Sequence, residues 1–340
     1  MIFLTGGTGL LGIRILYDLI SNKRKVLALK RKSSPLQYVK EAFLFYDPEF
    51  GAQKFDSIHW IEGDVLDVIS LQKGMEECDE VYHAAAMVSF HKRDRQIMLD
   101  VNIKGTANVV NVAVENEIKK FCHISSIAAL GRSGNARAIT EEDLWTDEGD
   151  PSYYSISKYY SEMEVWRGIE EGLNAVILCP SLILGAGRPE VSSGKIYSAV
   201  WEGLKVCGPN SNSIIDVRSI SKAAIELMEK EIWKERFILS AHDLKAKKLF
   251  DTVAKSLGKN GPKRVMSERQ IKFFMRFIKL LSKLNIEPRI SYETLSGALM
   301  NYTYDNTKLE KYIAIEYPSI EESIAYYANY YKKILGSMAL

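Results

Sequence analysis

The chain is short of most features that mark a metal site, a disulfide scaffold, a membrane span or a polyanion-binding surface. Its 340 residues include four cysteines, Cys78, Cys122, Cys179 and Cys207, and no two form a C-x-x-C pair. That scatter excludes a stapled scaffold or zinc ribbon and reads as reduced core thiols in a cytosolic, cytoplasmic protein. The five histidines show no ligand spacing, so no metal is expected. The 45 basic and 43 acidic side chains leave a net charge of +2, too even a balance to draw nucleic acid. No apolar run approaches about 18 residues, so no integral membrane span is expected. Met1 leads straight into an apolar strand-like segment, which leaves no room for a signal or transit peptide. With 46% hydrophobic and 26% charged residues the composition is that of an ordinary globular protein, long enough for two domains.

Short apolar runs then alternate with amphipathic stretches. Strands are predicted at Met1–Thr5, Lys25–Lys30, Ile58–Glu62, Glu80–Ala84, Lys120–Ser125 and Ala175–Pro180. Helices are predicted at Gly9–Ser21, Asp67–Met75, Ile97–Asn116 and Ser152–Glu171. Strict alternation predicts an α/β fold, a doubly wound parallel sheet covered on both faces. Beyond about Gly185 the texture loosens into loops at Gly185–Val191 and Gly208–Ser213. Ile214–Val217 and Phe237–Ser240 read as strands returning to the main sheet, with a helix Ser221–Lys230 between them. The expected division is residues 1–185 and 214–240 for the sheet, and 186–213 and 241–340 for a smaller, mostly helical substrate lobe.

The first strand ends in "TGGTGLLG", with Gly6, Gly9 and Gly12 at G-x-x-G-x-x-G spacing before a helix. Glycines permit a tight turn and close backbone approach, and the helix start offers free N–H groups to a pyrophosphate. Gly6, Thr8, Gly9, Leu10, Leu11 and Gly12 are therefore the candidate dinucleotide loop. The second strand closes on "KRKSS", where an acid would hold a ribose hydroxyl and a base would suit a 2′-phosphate. Lys30, Arg31 and Lys32 favour NADP, with NAD as the alternative, and Arg31 is the phosphate or adenine contact.

"PSYYSISKYY" crowds four tyrosines beside one lysine. Residues i and i+4 share a helix face, and of the four only Tyr154 has an ammonium there, Lys158. A phenol beside an ammonium is biased toward phenolate, as proton exchange with an alcohol or carbonyl requires. Upstream, "FCHISSIAALG" ends a strand in Ser125 and Ser126, where ligands of open α/β sheets gather. "VYHAAAM" ends another strand in small residues, and "DVNIKGT" supplies Asn102.

These motifs in this order, with Gly63–Val65 (G-D-V) and Y-S-I-S-K, resemble the extended short-chain dehydrogenase/reductases through about Gly187. The resemblance implies a Rossmann-type domain with Tyr154 as general acid/base and Ser126 as the hydroxyl on the substrate oxygen. It implies that Lys158 holds the nicotinamide ribose and lowers the tyrosine pKa. It places Asp64 and Val65 at the adenine, and Ala84, Ala85 and Ala86 beside the nicotinamide side of the pyrophosphate. Asn102 falls near the cofactor, and Pro180 with Leu182 and Ile183 near the carboxamide. Relatives often pair through the helices at Ile97–Asn116 and Ser152–Glu171, which implies a homodimer.

Within the family, Ile127 and Ala128 stand where dehydratases carry Asp-Glu, so water elimination lacks its acid. Cys179, and Asn212 or Ser213, stand where many nucleotide-sugar epimerases carry arginines. "PSLILGAG" is similar to the branch of dihydroflavonol reductases and 3β-hydroxysteroid dehydrogenases, whose substrates are uncharged and ringed or apolar. The expectation is thus an NADP-dependent oxidoreductase acting on such a small molecule. The alternatives are an epimerase and, from another class, a non-catalytic NADP-binding redox sensor. Finally, Arg269–Leu284 sets Lys272, Arg276, Lys279 and Lys283 in a stripe opposite a broad apolar face. The reading favoured is a helix packed by that face on its own lobe, over one lying on a membrane.

Overall fold

The computed structural model describes residues 1–131, 137–146, 151–283 and 291–338. The six predicted strands form within a residue of their expected ends: β1 Ile2–Thr5, β2 Val26–Lys30, β3 His59–Glu62, β4 Glu80–His83, β5 Lys120–Ile124 and β6 Ala175–Pro180. They join one seven-stranded sheet in the order β10-β6-β5-β4-β1-β2-β3, with β10 at Glu235–Leu239 and all pairs parallel. Successive side chains leave opposite faces of a strand. Leu4, Ala28, Cys122 and Leu178 therefore enter one core layer, and Phe3, Val81, Phe121 and Ile177 the other. Burial on both faces is why these strands read as continuous apolar runs.

Helix α1 (Leu10–Ser21) and α9 (Val217–Glu229) cover the first face. Helices α4 (Val68–Met75), α6 (Gly105–Glu115) and α7 (Tyr153–Glu170) cover the second. Between β2 and β3 lie α2 (Gln37–Tyr46) and α3 (Gly51–Asp56), which no sequence signal had singled out. The helix predicted over Ile97–Asn116 is three pieces: α5 (Arg95–Leu99), a π turn Asp100–Lys104, and α6. The extra residue of the π turn sits where Asn102 is buried, a place such bulges favour in functional sites.

The region after β6 departs further from expectation. The strand expected at Ile214–Val217 does not return to the main sheet. It is part of β9 (Ser211–Asp216), which lies between β7 (Leu182–Leu184) and β11 (His242–Lys245) in a separate three-stranded sheet. The open edge beside β6 is taken by β10, register Glu235↔Val176. An apolar run signals burial but not its partner, and Ser211–Ser213, expected as loop, extend the same strand. A two-stranded sheet pairs β8 (Val206–Cys207) with β12 (Arg264–Val265). Helices α8 (Gly194–Trp201), α10 (Ala246–Leu257) and α14 (Ile320–Met338) pack together; α11 (Glu268–Lys283) packs on α12 (Tyr292–Gly297), and α13 (Thr307–Glu310) on β10.

One finding corrects the reading of the basic helix. Among the described side chains of α11 only Ile271 and Ile278 are buried, against Leu295 and Met266, while Phe273, Phe274, Phe277 and Leu280 are exposed. The apolar face is broader than the lobe beneath it, so it is only partly packed. The side chain of Lys283 and all of Leu284 lie outside the described residues.

Candidate active site

Every residue expected to touch a dinucleotide lies at the carboxyl edge of the sheet. Gly6 follows β1 with a positive φ of 76°, and a Cβ there would stand 2.5 Å from the Ala84 backbone. A Cβ on Gly12 would stand 2.1 Å from the Gly6 carbonyl oxygen. The turn is so tight that only glycine fits, and the Gly9 N–H closes it on the Gly6 carbonyl at 2.9 Å. Helix α1 opens at Leu10, so the N–H groups of Leu10, Leu11 and Gly12 have no intrahelical partner, and no side-chain cap or first-turn acid competes for them. Thr8 and Leu10 are half-buried beside exposed Gly9. Leu182 and Ile183, after Pro180, lead to Gly185, where a Cβ would meet the Leu10 side chain at 2.6 Å. Asp64 accepts the Leu66 N–H at 3.0 Å, and the carbonyl of buried Val65 accepts from Asn108 at 3.1 Å, so both residues sit in a braced turn after β3. At the end of β2, Lys30 pairs loosely with Glu62 at 3.9 Å, while exposed Arg31, just beyond it, has no ion-pair partner among the described residues. Donors without acid, glycine approach and a free guanidinium together fit a dinucleotide.

Helix α7 begins where Ser152 caps it, accepting the Ser155 N–H at 3.1 Å. Tyr154 lies beside Ser126, which follows β5, close enough for that hydroxyl to act on the phenol's pKa. The Ser126 Oγ also accepts the Ala128 N–H at 3.1 Å, which leaves its own proton to donate. Burial raises the Tyr154 pKa and the Ser126 hydroxyl pulls it back. Lys158 does not act on the phenol here: its buried Nζ donates to the Ile124 carbonyl at 2.8 Å. Burial pushes Lys158 down to about 8, against the pull of neighbours including the Glu162 carboxylate one turn on. The structure thus brings Ser126, Tyr154 and Lys158 to one strand end.

Several supporting groups went unseen in the sequence. Fully buried Glu162 accepts from Ser125 at 2.6 Å, from Arg236 at 2.9 Å and from Trp166 at 3.2 Å. Arg236 comes from β10 and also donates to the Glu141 carbonyl. No local pattern could announce a pair 74 residues apart.

A second network ties the glycine loop to α7. Thr106 donates to the Asn102 carbonyl at 2.6 Å, so it accepts from His83 Nε2 at 2.9 Å. His83 Nδ1 is then the acceptor for Thr5 at 2.7 Å, and the Thr5 oxygen accepts from Ala85 N–H. The Asn102 side chain accepts the Met87 N–H at 2.7 Å and donates to Ser157 at 2.9 Å, whose hydroxyl donates to the Tyr154 carbonyl at 2.8 Å. Asn102 is therefore a brace between the turn that follows Ala84–Ala86 and helix α7. Burial and the Lys158 charge hold His83 near 3, lowered to about 3, and keep it neutral. His123 stacks on it at 5.3 Å, held well below the usual range by burial, then by Lys158 and His83, with both ring nitrogens unpartnered.

Around Tyr154 the surroundings are aromatic. Phe90, partly exposed, meets its ring edge-on at 6.1 Å. The Arg95 guanidinium lies 3.1 Å from the Tyr153 ring centroid. Tyr159 stacks on Trp145 at 4.8 Å, and Tyr160 is exposed. Cys179 is fully buried, its thiol 3.6 Å from Glu162, so that position points into the core.

Comparison with known proteins places this architecture. Residues 2–210 match the model of the NAD dependent epimerase/dehydratase family. A Synechocystis protein described as a candidate dihydroflavonol 4-reductase is 24% identical over 332 residues, covering 95% of this chain and 92% of its own. Among solved structures, gox2253 superposes with a TM-score of 0.81 at 21% identity, covering 98% of both chains. A Thermotoga maritima UDP-glucose 4-epimerase, solved with UDP-glucose, gives 0.76 at 20% identity, covering 98% of this chain and 99% of its own.

Proposed function

The chain belongs to the NAD dependent epimerase/dehydratase family, the extended short-chain dehydrogenase/reductases, and from that premise we propose an NADP-dependent carbonyl reductase or alcohol dehydrogenase. Its substrate is a small, uncharged molecule, ringed or apolar. The observation that carries this reading is the placement of Tyr154 beside Ser126 at the carboxyl end of β5, close enough for that hydroxyl to draw the phenol's pKa down, next to a glycine-built dinucleotide loop. The loop residues would hold the pyrophosphate, Asp64 and Val65 the adenine, and Ala84–Ala86, Pro180, Leu182 and Ile183 the nicotinamide half. Arg31 would meet a 2′-phosphate. Bound there, the nicotinamide supplies a hydride for reduction or takes one up in oxidation.

The chain's own part is proton transfer and charge stabilisation. Ser126, its oxygen already engaged by Ala128 N–H, donates to the substrate oxygen. Tyr154 gives that oxygen its proton during reduction and takes it back during oxidation. Lys158, anchored on the Ile124 carbonyl one helical turn beyond Tyr154 and with its pKa pushed down to about 8, would offer its ammonium to the nicotinamide ribose rather than to the phenol. Phe90, edge-on to Tyr154, supplies an apolar wall suited to a ring.

An epimerase would use the same acid/base pair. Its arginine positions are here Cys179, turned into the core, and uncharged Asn212 and Ser213, so no cation serves a diphosphate there. The same proposal assigns substrate recognition to residues 186–213 and 241–340, a homodimer formed through α6 and α7, and work in the cytoplasm. The test is oxidation of NADPH and of NADH against a panel of uncharged ketones and aldehydes. NADPH should be preferred at least tenfold, as about one charged contact gives. Turnover of UDP-hexoses without any carbonyl reduction would replace this reading with epimerisation.

A further inference from the structure

We propose that α11 is an interfacial helix that docks this protein on an anionic lipid bilayer surface. At about 100° per residue its side chains fall into three sectors. Ile271, Met275 and Ile278 occupy one, packed on Tyr292, Leu295 and Leu299. Arg269, Lys272, Arg276 and Lys279 fill the next, all exposed. Phe273, Phe274, Phe277 and Leu280 span the third and are 67%, 47%, 50% and 56% exposed, interrupted only by Gln270. A soluble helix buries its apolar arc; this one buries a third of its circumference and presents three phenylalanines and a leucine to solvent.

Charge decides the occupant. The exposed aromatic arc is bordered along one side by the cationic sector, and among its described side chains α11 carries one acid, Glu268, at its first turn. That acid lies 3.7 Å from Lys272, and the remaining cations face no carboxylate among the described residues. Aromatic side chains sunk at the acyl boundary with cations at phosphate level are what an anionic bilayer takes up. An antiparallel second copy of this helix would bring the cationic sectors together, which opposes that mode of self-association. No helix among the described residues is long and apolar enough to cross a membrane, so contact would be at the surface. The placement is one helix away from the active site: Lys279 lies over the Tyr292 ring at 4.6 Å, and the next residue, Glu293, accepts the Tyr153 N–H at 3.5 Å.

Vesicle co-sedimentation of the full chain tests this without reference to activity. Phosphatidylcholine vesicles containing phosphatidylglycerol should bind at least about tenfold more protein than phosphatidylcholine alone, with the difference shrinking as salt rises. Phe273→Ser/Phe277→Ser/Leu280→Ser and Lys272→Glu/Arg276→Glu/Lys279→Glu should each abolish that excess, with far-ultraviolet circular dichroism unchanged. A single Phe277→Trp should shift its emission to the blue on the mixed vesicles. No binding, binding indifferent to both triple variants, or an unshifted tryptophan would overturn the proposal. So would sedimentation showing a dimer in water that the phenylalanine set dissolves, because a second copy would then cover the face.

Discussion

The carboxyl edge of the sheet and helix α11 treat polarity in opposite ways. At the sheet edge, Lys158, Glu162, His83 and Asn102 are buried and each is held by named partners, His123 being the exception. On α11, charges are solvated and large apolar side chains are exposed. Buried polar groups are costly unless satisfied, so the first arrangement holds donors and acceptors in one geometry before any substrate arrives. Exposed apolar groups gain nothing in water, so the second arrangement points outside the chain. The proposed reaction chemistry sits where the fold is most constrained, and the proposed surface contact where it is least.

Breaking the chemical half should cost most. Tyr154→Phe is expected to lower turnover about 10²–10⁴-fold while NADPH affinity changes little, measured by steady-state reduction and fluorescence titration. Unchanged turnover would remove Tyr154 from the reaction. Glu162→Ala leaves the Arg236 charge buried and unpaired, an expected loss of about 3–5 kcal/mol in urea unfolding. A Glu162→Ala protein as stable as the parent would mean that the ion pair contributes nothing.

Gly12→Ala should cost about 1–3 kcal/mol and weaken NADPH binding, because its Cβ would meet a backbone carbonyl. The contrasting Gly336→Ala, in α14 with nothing within 4 Å of the added atom, should be neutral or slightly stabilising. Equal effects at the two glycines would contradict the tight-turn account.

Acid should find the neutral imidazoles. His83 is lowered from 6.5 to about 3 and His123 is lowered too, so between those pH values the unfolded chain binds more protons than the folded one. Their contribution to stability is present above pH 6.5 and is lost as pH falls toward 3, at up to about 1.4 kcal/mol per pH unit for each group. His123→Leu should flatten this acid slope in urea melts at successive pH values; an unaltered slope would assign it elsewhere. The smallest effect belongs to α11, where Phe277→Ser should change stability by less than about 0.5 kcal/mol. A larger loss would show the ring packed rather than exposed.

What could be read in the sequence is what local spacing encodes. The glycine loop, the strands of the sheet and the Tyr154–Lys158 turn all follow from residues a few positions apart. Groups joined over long separations were silent: Glu162 with Arg236, His83 with Thr5 and Thr106, and Ser323 and Tyr327 of α14 donating to Asp216 at 2.7 and 2.9 Å. The run Ile214–Val217 was read as a strand but given the wrong sheet, because burial does not name a partner, and Ser211–Ser213, which extend the strand, were read as loop. Periodicity in α11 likewise showed an apolar arc without showing how much of it the lobe could cover.

The central claim is hydride transfer to a carbonyl carbon with Tyr154 moving the proton. Its most direct test uses NADPH carrying deuterium at the transferred position, incubated with the best ketone from the panel and analysed by mass spectrometry. The account predicts an alcohol one mass unit heavier (one deuteron, by the hydride stoichiometry), formed by the parent enzyme and essentially absent with Tyr154→Phe. Product free of deuterium, or equal labelled product from the Tyr154→Phe variant, would contradict it.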